Sequence, residues 1–394
     1  MIVCVFSISS VASADERRLT EEAAVAAAHL YSPDVAVSRS RERIAAAEID
    51  VAGTYPNPTV YGASSTQAAR LSAGAMLPLL IFGQRGLAMD AARADADTTR
   101  TETLMAWVDA RWATERAFVE LWRSERALAA RKDAAALVVK LDAAVTGRAE
   151  VGSGPQIDAL RAHAERLSVE ADAMAASAQV RVAAAALARW TGDPPDVDLH
   201  VDGNPSTPDA PPPLATLLTQ LSASVHVKRE FDDARASRMR ASRERGLNRP
   251  LMLLDLGADA FDSSLPATNL RAQLAIEVPL FNQRGGFIDR ERANEDVAMS
   301  RQRAVLARVS SELVGAYRSY EAATDREKVL TEAVLPASEA SVHAMQDAYD
   351  LGRSALLALL DAQRALLITR VDAIEATATR AAAWADVQHA LGSP

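Results

Sequence analysis

The feature that most constrains this chain is that it gives one order of landmarks twice. Glycine-marked turns at Gly152-Ser153-Gly154-Pro155 and Gly352-Arg353-Ser354 stand 200 residues apart, counted from Gly152 to Gly352. The segments that follow keep the offset, with Ile157-Asp158-Ala159-Leu160-Arg161-Ala162 aligned on Leu357-Ala358-Leu359-Leu360-Asp361-Ala362. Self-similarity at a fixed offset is the signature of a repeated structural unit. Between the halves lies 203–213, whose prolines at Pro205, Pro208, Pro211, Pro212 and Pro213 exclude a helix or strand interior and make a stiff, extended connector. The organisation is a first repeat over 15–202, this linker, and a second repeat over 214–391.

Each repeat opens with helix-period sequence, Thr20 to Gly53 and Leu214 to Gly246, and reaches a proline-marked stretch, Tyr55-Pro56-Asn57-Pro58 or Leu247-Asn248-Arg249-Pro250. The period then changes from 3.6 to 2. In the second repeat, Met252, Leu254, Leu256, Ala258 and Ala260 alternate with Leu253, Asp255, Gly257 and Asp259. After a turn at Asp262-Ser263-Ser264-Leu265-Pro266, Leu270, Ala272, Leu274, Ile276 and Val278 alternate with Arg271, Gln273, Ala275 and Glu277. This hairpin, 250–280, has strands of about ten residues, apolar on one face and polar on the other, the length and pattern of a transmembrane β-strand pair. A soluble hairpin packed on a core alternates in the same way. The first-repeat hairpin, 57–80, runs near Thr59 to Ser65 and Leu71 to Leu79 and is richer in small residues. If the strands close a barrel, Asp255, Asp259, Arg271, Gln273 and Glu277 face its lumen.

Both hairpins exit through nearly one phrase, Pro78-Leu79-Leu80-Ile81-Phe82-Gly83-Gln84-Arg85-Gly86 and Pro279-Leu280-Phe281-Asn282-Gln283-Arg284-Gly285. These are strand-to-helix junctions, since proline cannot donate to a ladder and glycine permits the turn. Tyr55, Phe82, Arg85, Phe281 and Arg284 fall at the strand ends, where aromatic and basic residues line a membrane interface. Beyond each junction a helical run of about 63 residues, Leu87 to Ala149 and Ile288 to Asp350, spans about 95 Å at 1.5 Å per residue. Leu306, Val309, Leu313, Tyr317 and Tyr320 recur at helical spacing, as do Leu104, Val108 and Trp112, giving a narrow seam that needs partner helices. Trp107, Trp112 and Trp122 read as seam residues. The helices return at the glycine turns, so two helical hairpins of matched length are expected. The fold class is mainly α with a small β part.

Composition removes several functions. Lysine plus arginine is 43 and aspartate plus glutamate 52, a net charge of −9, which disfavours a polyanion partner and leaves no nucleic acid to expect. The single cysteine, Cys4, excludes a disulfide framework and a zinc site. His29, His163, His200, His226, His343 and His389 are scattered without metal-binding spacing, and Gly152-Ser153-Gly154 lacks the preceding strand and third glycine of a dinucleotide loop. No catalytic residue, metal ligand or cofactor is expected. No apolar run reaches the roughly 18 residues of a membrane-crossing helix. Ile2 to Val11 are apolar or small, and Ala12-Ser13-Ala14 is an A-x-A cleavage site ahead of Asp15-Glu16-Arg17-Arg18, so 1–14 reads as an export signal shortened at its start.

On these residues the chain resembles the TolC-type outer-membrane efflux proteins over nearly all of its mature length. The carriers are the doubled order of helix, hairpin, long helix, turn and helix, the two exit phrases, and the tip phrase Tyr349-Asp350-Leu351-Gly352 followed by Leu360-Asp361-Ala362-Gln363-Arg364. The exit phrases look most like the heavy-metal cation efflux (CzcC-like) branch. The resemblance implies a homotrimer in the Gram-negative outer membrane, whose two β-hairpins per chain contribute four strands to a 12-stranded transmembrane barrel. An α-helical barrel continues it into the periplasm and docks on a periplasmic adaptor and an inner-membrane RND-type pump. Strand arithmetic agrees: four strands leave two open edges, two copies give eight strands filled by their own side chains, and three give twelve with a lumen.

The resemblance also implies a gate at the periplasmic tip, with Gly152, Gly154 and Gly352 at the turns where partners dock. Asp361 falls where the family projects an acidic ring, its usual companion one turn earlier being Ala358 here. Asp158 and Tyr349 match positions that tie neighbouring tip helices. The basic partner's place is Ser354 with Arg353 adjacent, so a link from Asp158 to Arg353, reinforced by Tyr349, is expected. Asp158 also suits the first turn of a helix on electrostatic grounds alone. The chain departs from the lipidated members in having no cysteine after its signal, and the first hairpin turn, Gln67 to Arg70, is very short. The cargo reading is heavy-metal cations, with organic toxicants or drugs as the alternative. A soluble periplasmic coiled-coil scaffold is the competing class.

Overall fold

The computed structural model describes residues 17–64, 66, 69–208, 210–262 and 268–393. The expected export signal, most of the turn after Asp262, and Gln67 and Ala68 of the first turn lie outside them. In chain order the helices are α1 (Glu21–Tyr31), α2 (Pro33–Gly53), α3 (Gln84–Glu150), α4 (Gln156–Thr191), α5 (Leu214–Gln220), α6 (Val225–Leu247), α7 (Gly285–Val329), α8 (Leu335–Asp350) and α9 (Leu356–Leu391). The strands are β1 (Arg17–Leu19), β2 (Thr59–Ser64), β3 (Ala69–Leu79), β4 (Leu199–Val201), β5 (Leu251–Asp262) and β6 (Asn269–Glu277). The repeat is explicit in this order, and the returning helices α4 and α9 have 36 residues each.

The structure breaks three expected helices. The first opening helix parts at Ser32-Pro33, where proline occupies the first position of α2, and the second parts at the short 3-10 turn Leu221–Ala223. The long helix expected over 288–350 is interrupted by a π-helical turn, Leu330–Val334, in which the Leu335 N–H donates to the Leu330 carbonyl. Pro336 supplies the reason: it has no N–H to donate, and its ring crowds the carbonyl four residues earlier, so the chain widens by one residue ahead of it. α3 has no internal proline and runs unbroken.

The chain forms two compact units, one from residues up to Ala36, Ala106–Leu221 and from Val309 on, the other from Val37–Met105 and Ser222–Arg308. In the first, β1 pairs in parallel with β4 beside a core of Leu19, Ala24, Phe118, Leu121, Ala183, Ala184, Leu187 and Leu199. Buried alanines dominate α9, where Ala373, Ala376, Ala378, Ala381, Ala383, Ala385 and Ala390 let neighbouring backbones approach closely. The tryptophans sit in the seams as expected: Trp122 packs with Val119, Ala378 and Ala381, Trp107 lies 4.4 Å from the His29 ring, and Trp112 donates to Asp386 across 2.7 Å. The linker is fastened to this unit. The Tyr320 hydroxyl donates to the Pro208 carbonyl (2.9 Å), the Tyr317 hydroxyl to the Pro212 carbonyl (3.2 Å), Arg380 to Thr207 (2.6 Å), and the Ser206 N–H to the Glu21 carboxylate (2.5 Å).

In the second unit a four-stranded antiparallel sheet, ordered β2-β3-β5-β6, is joined to helices held by charge. Arg240 contacts Asp95, Asp233 (3.6 Å) and Glu291 (3.1 Å), and Arg229 contacts Glu102 (3.0 Å), Glu230 (3.0 Å) and Asp233 (3.6 Å). Thr101 donates to Asp232 across 2.7 Å. Burial pushes the Asp95 carboxyl up despite Arg240, whereas at Glu291 burial is outweighed by hydrogen bonds from Asn294, Arg240 and Arg290, which hold it low.

The linker clasp carries a pH dependence. Burial pushes the Glu21 carboxyl above its usual 4.5, with the Ser206 N–H opposing. Its contribution to stability is therefore complete below 4.5 and is lost as pH rises through the higher folded value. Glu21→Gln, which keeps an oxygen acceptor for Ser206, is expected to raise the melting temperature at pH 7 to 8 and to flatten its dependence on pH above 4.5, read from thermal melts across that range.

Candidate functional site: the polar sheet face and the helical tips

Register assigns the sheet's two faces. Cross-strand partners share a face, so Tyr61, Gly74, Gly257 and Arg271 form one row, Met76, Asp255 and Gln273 another, and Ser72, Asp259 and Asn269 a third. Glu277 lies opposite Leu251 on the same face. The other face carries Val60, Leu71, Leu256, Leu270, Leu274 and Ile276, all exposed, with Leu270 at 90%. The expected division into polar and apolar faces is present in β5 and β6, small residues dilute it in β2 and β3, and the expected polar residues are brought to one face.

Sequence reasoning missed what joins them. Tyr61 of β2 donates to Asp255 across 2.6 Å, and Arg271 of β6 donates to the Tyr61 hydroxyl across 2.5 Å. Arg271 also holds both Asp259 oxygens, at 3.0 and 3.2 Å, and approaches Asp255 at 4.0 Å. Gly74 and Gly257, side by side on the inner strands, make this possible. A Cβ on Gly74 would stand 2.5 Å from the Tyr61 hydroxyl, and one on Gly257 3.0 Å from Arg271 Nη2. The available signal was one glycine in each of β3 and β5 at facing positions.

The strand ends divide by chemistry. Phe281 is fully exposed, and Tyr55 and Phe82 are exposed at 60% and 39%. Arg85 and Arg284 turn back on the chain. Arg85 donates to the Gly53 carbonyl at the end of α2 and lies 4.7 Å from the Tyr55 ring centre, while Arg284 donates to Glu244 near the end of α6 (2.7 Å) and lies 4.7 Å from the Phe287 ring centre. Each fastens its strand-to-helix junction to the opening helix of its own repeat.

At the tips the two turns match bond for bond. The Gly152 N–H donates to Ala149 and the Ser153 N–H to Arg148, and the Gly352 N–H donates to Tyr349 and the Arg353 N–H to Ala348. Gly152 and Gly352 take φ of +73° and +68°, the left-handed backbone that closes a helix. Gly154 follows the first turn, and Val151 and Leu351 stand exposed at equivalent places. Beneath them Leu141, Val145, Ala162, Leu356, Leu359 and Leu360 form a common core with Met345 and Tyr349 at its edge.

Within the chain the tip charges pair differently from the expected link. Asp158, in the first turn of α4, lies 3.9 Å from Arg161. The basic group on Tyr349 is Arg148, which donates to its hydroxyl (2.9 Å) and sits 5.1 Å from its ring centre. Arg353 makes no ion pair within the chain among the described residues. Asp361 is exposed, 3.7 Å from Arg364, whose guanidinium is bound to the buried Glu165. Among the described residues no group of three or more His, Cys, Asp or Glu is placed to hold a metal ion, and no helix is long and apolar enough to cross a membrane.

Residues 226–393 match the family model of the outer membrane efflux proteins. No curated protein sequence gives a significant match to the chain. Solved structures do match. The outer membrane protein VceC of Vibrio cholerae is 17% identical, over 94% of this chain and 96% of that one, with a TM-score of 0.74. A membrane protein from Pseudomonas aeruginosa is 17% identical, over 94% of this chain and 93% of that one, at 0.76. The open-state MtrE outer membrane channel of Neisseria gonorrhoeae is 16% identical, over 98% of this chain and 93% of that one, at 0.73. These likenesses establish the fold over nearly the whole chain, and with the family match they support the TolC-type resemblance.

The glycine row generates a prediction. Gly74→Ala forces the Tyr61 hydroxyl off Arg271 and Asp255, an overpacking expected to cost about 1–3 kcal/mol. Urea unfolding in detergent micelles, with Ser72→Ala on the same strand as control, measures the difference.

Proposed function

We propose that the chain is the outer-membrane channel of a tripartite efflux system, a passive conduit that crosses the outer membrane and extends into the periplasm. The observation that carries this reading is the sheet itself, with an exposed apolar face, a polar opposite face and an open edge at each end. Backbone groups on such edges cannot lie unpaired in lipid, so further strands must close the sheet. Three copies are the smallest number that close it around a lumen. The reading is supported by the outer membrane efflux family match and by a fold shared with outer membrane channels, which are conduits rather than enzymes. A soluble scaffold leaves the apolar face uncovered. The partners are two further copies, outer-membrane lipid, a periplasmic adaptor and an inner-membrane RND-type pump. Light scattering in detergent is expected to return a trimer, and a monomer or dimer as sole species removes the reading.

The cargo is heavy-metal cations, a reading supported by a polar face that carries, among the described side chains, three carboxylates, Asp255, Asp259 and Glu277, against one guanidinium, Arg271. Organic toxicants are the alternative. A deletion strain is expected to lose tolerance to at least one of cobalt, zinc, cadmium, copper and silver, and unchanged tolerance to all five removes the metal reading.

The tip holds the gate. With Asp158 3.9 Å from Arg161 and Arg148 on Tyr349 inside one chain, Arg353, which makes no ion pair among the described residues, is the cation proposed to reach Asp158 on a neighbouring tip, and exposed Asp361 is the residue proposed to face the axis. An exposed pair contributes about 0–1 kcal/mol, so three related by symmetry total roughly 1–3 kcal/mol, little enough for a docking partner to overcome. In planar bilayers the double variant Asp158→Ala, Arg353→Ala is expected to raise conductance. Asp361→Ala is expected to weaken cation selectivity and multivalent-cation block.

A further inference from the structure

We propose that Arg271 sets the charge the polar sheet face presents to a passing ion, by lying flat across the sheet as a strap that masks two carboxylates. This rests on the face being pore wall. The row Tyr61, Gly74, Gly257, Arg271 crosses all four strands without a step. At about 4.8 Å per strand it spans about 14 Å. Its outer members carry long side chains and its inner members none, so the two side chains run toward each other along a cleared track and meet at 2.5 Å. An arginine standing upright on an outer strand would put its charge into the lumen and repel cations. Here the guanidinium is held down, two hydrogen bonds on Asp259 and one on Tyr61, whose own proton goes to Asp255.

The consequence is a division of charge along the face. Asp255 and Asp259, with side chains only 15% and 19% exposed, share one positive charge. Glu277 stands six residues along β6 from Arg271, about 20 Å away at strand rise, too far for the strap to reach. Among the described side chains the face thus holds one open carboxylate and one pair whose two negative charges are half offset by a single positive one. Removing the guanidinium takes the cluster from one net negative charge to two, and removing a carboxylate takes it to none. The planar fork is what allows one side chain to serve Asp259 and Tyr61 together.

The test is the reversal potential of purified protein in planar bilayers under a potassium chloride gradient. All variants carry Asp361→Ala, so that the tip carboxylate does not set the result. Arg271→Gln, which keeps hydrogen-bonding capacity without charge, is expected to raise the potassium-to-chloride permeability ratio about fivefold, the scale of one unit-charge interaction at contact distance in water. Asp259→Asn should shift toward chloride. If Arg271→Gln pores of parental conductance reverse at the parental potential, the assignment is overturned. If Arg271→Gln does not assemble, Asp259→Asn decides, and an unshifted potential there overturns it equally. A parent that forms no pore at all defeats the conduit reading itself, a failure recognisable because no variant is then needed to see it.

Discussion

Among the described residues the backbone groups along the outer edges of β2 and β6 have no ladder partner, and the face between those edges exposes Val60, Leu256, Leu270, Leu274 and Ile276. In water the edge is tolerable and the apolar face is not; in lipid the face is tolerable and the edge is not. Both are satisfied together where the strands continue into further strands and the apolar face meets lipid. Two hairpins per chain halve the number of copies such a closure needs.

Different forces hold the two units. In the first, small side chains do the packing: alanines on α9 bring helices close, and the few large groups, Phe118, Leu121 and Leu187, concentrate beside the β1–β4 pair. In the second, Arg229 and Arg240 gather five carboxylates, Asp95, Glu102, Glu230, Asp233 and Glu291. Buried ion pairs contribute little net stability but penalise any arrangement that leaves a member unpaired. They therefore fix how α3, α6 and α7 sit against one another more than how strongly they hold.

Periodicity made the architecture legible. The change from period 3.6 to 2 placed all four long strands, and the offset of 200 residues placed both tip turns, because each is a local backbone property encoded where it occurs. The pairings were not legible for the opposite reason. Tyr61 and Arg271 are 210 residues apart and meet only through sheet register, and Arg148 reaches Tyr349 across 201. At the junctions, composition at a strand end suggested arginines facing outward, but carbonyls and Glu244 at the ends of α2 and α6 were nearer acceptors. The break before α8 was readable from Pro336, which cannot donate within a helix.

That break makes the duplicated chain unequal. A π turn widens the helix and lengthens its hydrogen-bonded loop at one point, while α3 has no such point along its length. Of two arms that repeat one another in order and in tip turn, one therefore carries a local joint ahead of its proline and the other is continuous helix, so the symmetry written in the sequence is not a symmetry of the backbone.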